Sequence, residues 1–262
     1  MKSTKLVRIS SRFRDDEKTQ STTDFTVSFN ETNYLQNVVS CQLKNASIPN
    51  TYYNINSSNN KFVCISDNSF KSFLMDEGYY NFEEFKASFI LEMSNVGITV
   101  NDFIKKQNGK IQITTNVGIN YYKYSESVPI TSNNYFNPMA DVLGIVDDTG
   151  ADVLIYTADN LPMLQGLTAV YIESPELAQN QMIESDKSQF STRHVLDKVL
   201  IDVPFGLIQA HESGDVEDDI VYYNTISGRN INQISVKITD EGGNVVDLNG
   251  QHVELLIRVF FG

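Results

Sequence analysis

Apolar and polar side chains alternate in stretch after stretch of this chain, and that period of two fixes the fold class before any other feature does. Phe25, Val27 and Phe29 alternate with polar neighbours between Asp24 and Asn30. Near the other end Val253, Leu255, Ile257, Val259 and Phe261 share one face, and Leu256 and Phe260 make the second face partly apolar. A strand apolar on both faces is a liability at a sheet edge. This one is therefore expected in the middle of a sheet, or else beneath a partner subunit. Between Val38 and Ile48 the parity switches, with Val39, Cys41 and Leu43 on one side and Ala46 and Ile48 on the other. An extra residue near Lys44-Asn45, a β-bulge, accounts for the switch. Pro49 and Asn50 then form a structural turn, because proline fixes φ and offers no ladder donor. Gly250 is placed in a turn before the final strand.

Further strands are predicted over 61–66, 98–104, 110–115, 117–124, 167–172, 195–203, 220–223 and 234–239. Asn108-Gly109 forms a hairpin turn between two of them. One helix breaks the pattern. Asn81 can cap it with Glu84 three residues on, and Phe82, Phe85, Phe89, Ile90 and Met93 recur at helical spacing as a core-facing stripe. A short helical turn is expected between Pro138 and Leu143. No regular alternation of strand and helix appears, which disfavours a parallel sheet. The expected fold is all-β: an antiparallel β-sandwich, a single jelly roll with one short amphipathic helix and long loops. A chain of 262 residues is normal for one such domain. Residues 1–20 read as a basic N-terminal arm and 21–262 as the jelly-roll domain, with 125–194 as long loops or a small insertion.

Charge narrows the function. The net charge is −13, and residues 1–14 carry Lys2, Lys5, Arg8, Arg12 and Arg14 with no acid, so the remainder is more acidic still. An acidic body repels polyphosphate, and direct nucleic-acid binding is not expected. The basic arm, through Lys5, Arg8, Arg12, Phe13 and Arg14, is expected to dock on acidic surface of a neighbouring subunit or inner layer, since Leu6, Val7, Ile9 and Phe13 lie among the charges. No apolar run reaches bilayer length, and no secretory signal is expected after Met1. Cys41 and Cys64 sit in apolar strands and read as small buried hydrophobes.

No catalytic residues, metal ligands or cofactor site are assigned. His194, His211 and His252 lack a second histidine or a cysteine at ligand spacing. Glu212, Asp215, Glu217, Asp218 and Asp219 form an acidic loop that reads as solvated, calcium being the other reading. Tyrosine doublets at 52–53, 79–80, 121–122 and 222–223 are expected to place at most one partner of each in a core.

Three stretches resemble a known group. They are Ser11-Arg12-Phe13-Arg14, then Asp24-Phe25-Thr26-Val27, and above all Ser47-Ile48-Pro49-Asn50-Thr51-Tyr52-Tyr53-Asn54-Ile55. With Gly78-Tyr79-Tyr80 before the helix and Val246-Asp247-Leu248-Asn249-Gly250 before the last strand, they are similar to penton, or minor capsid, proteins of virophages, polinton-like viruses and nucleocytoplasmic large DNA viruses. The resemblance implies a non-enzymatic structural protein of the virion, made in an infected host cell. It implies homopentamers at icosahedral fivefold vertices, beside major capsid protein trimers and other minor capsid proteins. Two competing readings are a jelly-roll module of a virion that binds a glycan or receptor, and a carbohydrate-active enzyme, which would need two close carboxylates.

Overall fold

The computed structural model describes residues 3–30, 34–124, 132, 136–178, 182–185, 190–213 and 224–262. In chain order the strands are β1 (Thr4–Ser10), β2 (Asp24–Ser28), β3 (Leu35–Pro49), β4 (Lys61–Ser66), β5 (Ser69–Leu74), β6 (Val100–Lys105), β7 (Ile111–Ile119) and β8 (Val153–Thr157). They continue with β9 (Ala169–Glu173), β10 (Met182–Ser185), β11 (Phe190–Arg193), β12 (Val195–Leu200), β13 (Ile208–Glu212), β14 (Asn224–Ile231), β15 (Gln233–Thr239) and β16 (Glu254–Phe261). Helix α1 spans Phe82–Asn95 and α2 spans Ala140–Leu143. The chain forms two compact units, one of Met1–Tyr52 with Leu167–Gly262 and the other of Tyr53–Gly166. Of the 125–194 stretch, the described residues up to 166 belong to the second unit and those from 167 to the first.

In the first unit all pairing between strands is antiparallel. One sheet runs β1-β16-β3-β13, with β14 also on β3, and the other runs β12-β9-β15-β2. Numbered by rank among these eight strands, leaving out β14 and the β10–β11 hairpin, the orders are 1-8-3-6 and 5-4-7-2. That interleaving is a jelly roll, two Greek keys wound into facing sheets. The alternating residues of both sheets meet in one core, including Ile9, Phe25, Cys41, Ile48, Val170, Val199, Val236, Leu255 and Ile257. As expected for a strand apolar on both faces, β16 lies centrally, between β1 and β3.

The bulge falls where the parity switched. Leu256 pairs with Asn45 and Ile257 with Leu43, so Lys44 is the extra residue. A second shift was not legible. Phe260 pairs with Ser40 and Phe261 with Val38, which skips Val39. Val38 is therefore fully buried while Val39, expected on the inward side, is only half-buried.

The second unit contains the β4–β5 hairpin, the β6-β7-β8 sheet and both helices. The Asn81 side chain accepts from the N–H groups of Glu83 and Glu84, and the Glu84 carboxylate accepts from the Asn81 N–H. This capping box fixes where α1 starts. Phe85, Phe89 and Met93 are buried as the stripe predicts. Phe89 meets Phe62 at 5.1 Å, Phe73 at 5.4 Å and Phe103 at 5.4 Å between ring centroids, so the helix ties the hairpin to the sheet. The β6–β7 connection turns at Gly109, whose φ of +82° suits glycine. Tyr121 and Tyr122 are both fully buried, against the expectation of one per doublet. They lie just past β7, where the chain is no longer extended in a sheet and the period of two lapses.

Both thiols are free and buried, and burial pushes Cys41 and Cys64 up to about 12, so neither is a nucleophile at neutral pH. Among the described residues no helix is long and apolar enough to cross a membrane. The predicted strand at 220–223 and the 222–223 doublet lie outside the described residues.

Phe89→Ala removes the ring at the centre of this cluster. It should cost about 3–5 kcal/mol, measured as a lowered midpoint in urea unfolding followed by tyrosine fluorescence.

Candidate assembly interface

Each sheet of the jelly roll ends in two edge strands, and the sites of interest are how those edges are finished. On one flank β1 ends the first sheet and β2 ends the second. The segment between them closes the flank. The Ser11 N–H donates to the Val253 carbonyl at 3.1 Å, and the Val253 N–H donates to the Ser11 hydroxyl at 3.1 Å. Asp15 and Gln20 then seal β2: the Asp15 N–H donates to the Thr26 carbonyl, Gln20 Oε1 accepts from the Thr26 N–H, and the Asp15 carboxylate accepts from the Ser28 N–H and hydroxyl. Side chains thus stand in for a missing strand on β2, a common defence against stray pairing.

The five arm residues divide by role. Arg14 donates to the carbonyls of Ser11, Glu17 and Gln20 and holds the connecting loop together. Arg8 pairs with Glu254 across the β1–β16 ladder at 2.6 Å. The hydrogen bond from Arg8 and its charge hold the Glu254 carboxyl below the usual carboxylate range. Lys5 lies 5.5 Å from the Phe261 ring centroid. Lys5 and Arg12 are exposed, and Phe13 is 68% exposed on the short 3-10 turn that follows β1. Residues 4–10 of the basic segment are thus a strand of their own chain's sheet.

On the other flank β13 and β14 end the first sheet, each along one half of β3, and β12 ends the second. Asp197 of β12 accepts from the Ser213 hydroxyl at 2.8 Å and lies 3.2 Å from Nε2 of His211 on β13, which bridges the two sheets. Ser, His and Asp meet here, yet Nε2 faces both the carboxylate and, at 3.3 Å, the hydroxyl. A catalytic relay needs the two ring nitrogens on different partners, so the cluster is a cross-link. Beside it Asn50 pins the loop from 203 to 207. Its side chain donates to the Val203 carbonyl at 2.7 Å, its N–H donates to the Leu207 carbonyl, and its carbonyl accepts from the Gly206 N–H. The pinned loop leads through Leu207 to Ile208, the first residue of β13, which is 62% exposed, and Leu200 at the end of β12 is 63% exposed.

The remaining turn residues act within the fold. Pro49 is the buried last residue of β3, opposite Ile208. Asn249 and Gly250, with φ of +52° and +74°, form the turn closed by the Gln251 N–H on the Leu248 carbonyl. Asn54, in the second unit, donates to the Tyr80 and Leu164 carbonyls and accepts from the Tyr80 N–H, joining the segments where the chain enters and leaves that unit. The stretch 47–55 is therefore rich in side chains that fasten backbone.

A buried network went unpredicted. Arg193 bonds Glu173 at 2.8 Å through Nε, reaches Thr239 and the Asp240 and Glu241 carbonyls, and lies 4.8 Å from the Tyr171 ring centroid. Its sequence signal is faint, a lone arginine at the end of β11. Asp197 and Ser213 were likewise invisible, being residues apart in sequence that only the sheet edges bring together. Among the described residues no group of three or more His, Cys, Asp or Glu could hold a metal ion. Of the acidic loop, Glu212 is exposed on β13, and Asp215 to Asp219 lie outside the described residues.

A family model, DUF5901, described as a family of unknown function, matches residues 1–258. The chain belongs to that family. The fold of this DUF5901 chain is similar to the crystal structure of the mavirus penton protein, with a TM-score of 0.50, 12% sequence identity and 99% of each chain covered. No curated protein matches the sequence.

Two outcomes test this geometry. Arg193→Ala leaves a largely buried Glu173 unpaired and should cost about 3–5 kcal/mol in urea unfolding. His252 is held below its ordinary value of 6.5, first by burial and then by the Arg12 and Arg14 guanidiniums, while Ser11 reaches its Nδ1 at 3.1 Å. Its folded value being the lower, the unfolded chain takes the proton first as pH falls past 6.5, and stability drops. The urea midpoint should fall less between pH 7 and pH 5 in His252→Gln than in the wild type.

Proposed function

We propose that this chain is a structural capsid protein of a DNA virus, a penton subunit whose five copies close an icosahedral fivefold vertex. The observation that carries the reading is the eight-strand order 1-8-3-6 over 5-4-7-2, aligned end to end with a protein named as a penton. The sequence stretches similar to penton proteins support it, because they include Asn50 and Asn54, which fasten the loops of the fold. The function is assembly rather than catalysis. The Asp197–His211–Ser213 cluster has the wrong geometry for proton relay.

On this reading the protein resides in the virion and is assembled in the infected cell. Its partners are copies of itself, neighbouring major capsid protein trimers and other minor capsid proteins. A sandwich with different residues on its two flanks suits a head-to-tail contact, which closes into a ring when the rotation permits.

Light scattering coupled to size exclusion should give the mass of five chains at high protein concentration, falling to one on dilution. A stable trimer or a dimer that persists at all concentrations contradicts the reading.

A further inference from the structure

We infer that the end of the jelly roll where β2 stops and β3 begins carries a binding site for a neutral sugar ring. The inference is separate from the assembly reading and does not rest on it.

A cavity of about 390 Å³ opens there, lined by Phe29, Asn30, Tyr34, Asn230 and Asn232. That volume lies in the range of small-molecule sites. Strand pairing fixes its walls. Just past β2 the Phe29 N–H donates to the Asn232 carbonyl at 2.7 Å, and the Phe29 side chain is half-buried against the core, which holds the ring in place. Leu35 pairs with Ile231, so Tyr34, one residue earlier, comes beside the turn between β14 and β15. Ile231 is buried while Asn230 and Asn232 are exposed, so the two amides point away from the core. The Asn230 Oδ1 accepts from the Asn37 N–H at 3.0 Å, which orients that amide with its NH2 group left to donate.

The composition selects the ligand. None of the five lining side chains is charged, so nothing among them offsets the desolvation of a charged ligand. Of the charged neighbours in sequence, Arg229 does not line the cavity and Glu31 lies outside the described residues. Two aromatic rings offer flat apolar faces, and three amides with the Tyr34 hydroxyl offer donors and acceptors together. A sugar ring is divided in the same way, with an apolar C–H face and a rim of hydroxyls that both donate and accept. A wholly apolar ligand would cover the amides without bonding them, which costs free energy.

The test uses the full chain and the methyl glycosides of glucose, galactose, mannose and N-acetylglucosamine, which present each ring as the last residue of a glycan would. Saturation-transfer NMR at about 10 mM sugar should show at least one of them bound, with a dissociation constant on the order of 1 mM, the strength open to so small a ligand. Tyr34→Ala and Asn232→Ala should each weaken that binding at least about tenfold. Their thermal unfolding midpoints should stay near the wild type, since neither side chain belongs to the core. N-acetylneuraminic acid, which carries a carboxylate, should bind more weakly than the preferred neutral sugar. No transfer to any of the neutral sugars, binding that either variant retains unchanged, or a stronger response from N-acetylneuraminic acid overturns the site. None of these outcomes bears on pentamer formation, so the penton reading stands or falls apart from them.

Discussion

The jelly roll depends on one strand, β16. It pairs along seven positions of β1 on one side and along most of β3 on the other. Its inward residues Leu255, Ile257 and Val259 are fully buried, each contributing about 1.5–3 kcal/mol of burial. Remove it, and β1 has no neighbour and β3 loses its longest partner. The first strand of the chain thus waits for the last, and the fold is dominated by contacts of large sequence separation. Such topologies fold slowly and expose strand edges on the way, which makes the finish of those edges a design problem in its own right.

The chain finishes its edge strands in two ways. At β2 the edge is closed by Asp15 and Gln20, whose side chains take the ladder donors. At β1, β12 and β13 the edges stay at the ends of their sheets, and the exposed leucines, isoleucine and phenylalanine collect near them. A monomer with such edges courts uncontrolled pairing. A subunit that buries them against its own copies turns the liability into an interface. The buried Arg193 network and the Asp197–His211–Ser213 bridge hold the ends and flank of the sandwich in register.

Much of the fold was legible because strands in a sandwich repeat their core residues every second position. β16, β15 and β2 showed that alternation, and the bulge at Lys44 showed as a parity switch. The capping box of α1 was legible because its two residues sit three apart in sequence. What stayed hidden was short, polar or set by distant partners. β1 was read as an arm, since Lys5 and Arg8 mask the inward pair Val7 and Ile9. β8 opens with three apolar residues in a row, and β13 has only Ile208 and the small Ala210 to mark a face, so neither shows a clear period. The Val39 bulge has no local signal, because Val38 and Val39 are chemically alike. Residues of the candidate interface were half visible: the charges stood out, whereas Leu200, Leu207 and Ile208 looked like any strand-end hydrophobes until their exposure was known.

The central claim is that these sandwiches join side by side around a fivefold axis. Electron-microscopic class averages of the purified full-length protein at high concentration test it most directly. The account predicts closed rings with five equal lobes. Rings of threefold or twofold symmetry, or only single particles across the concentration range, would contradict it.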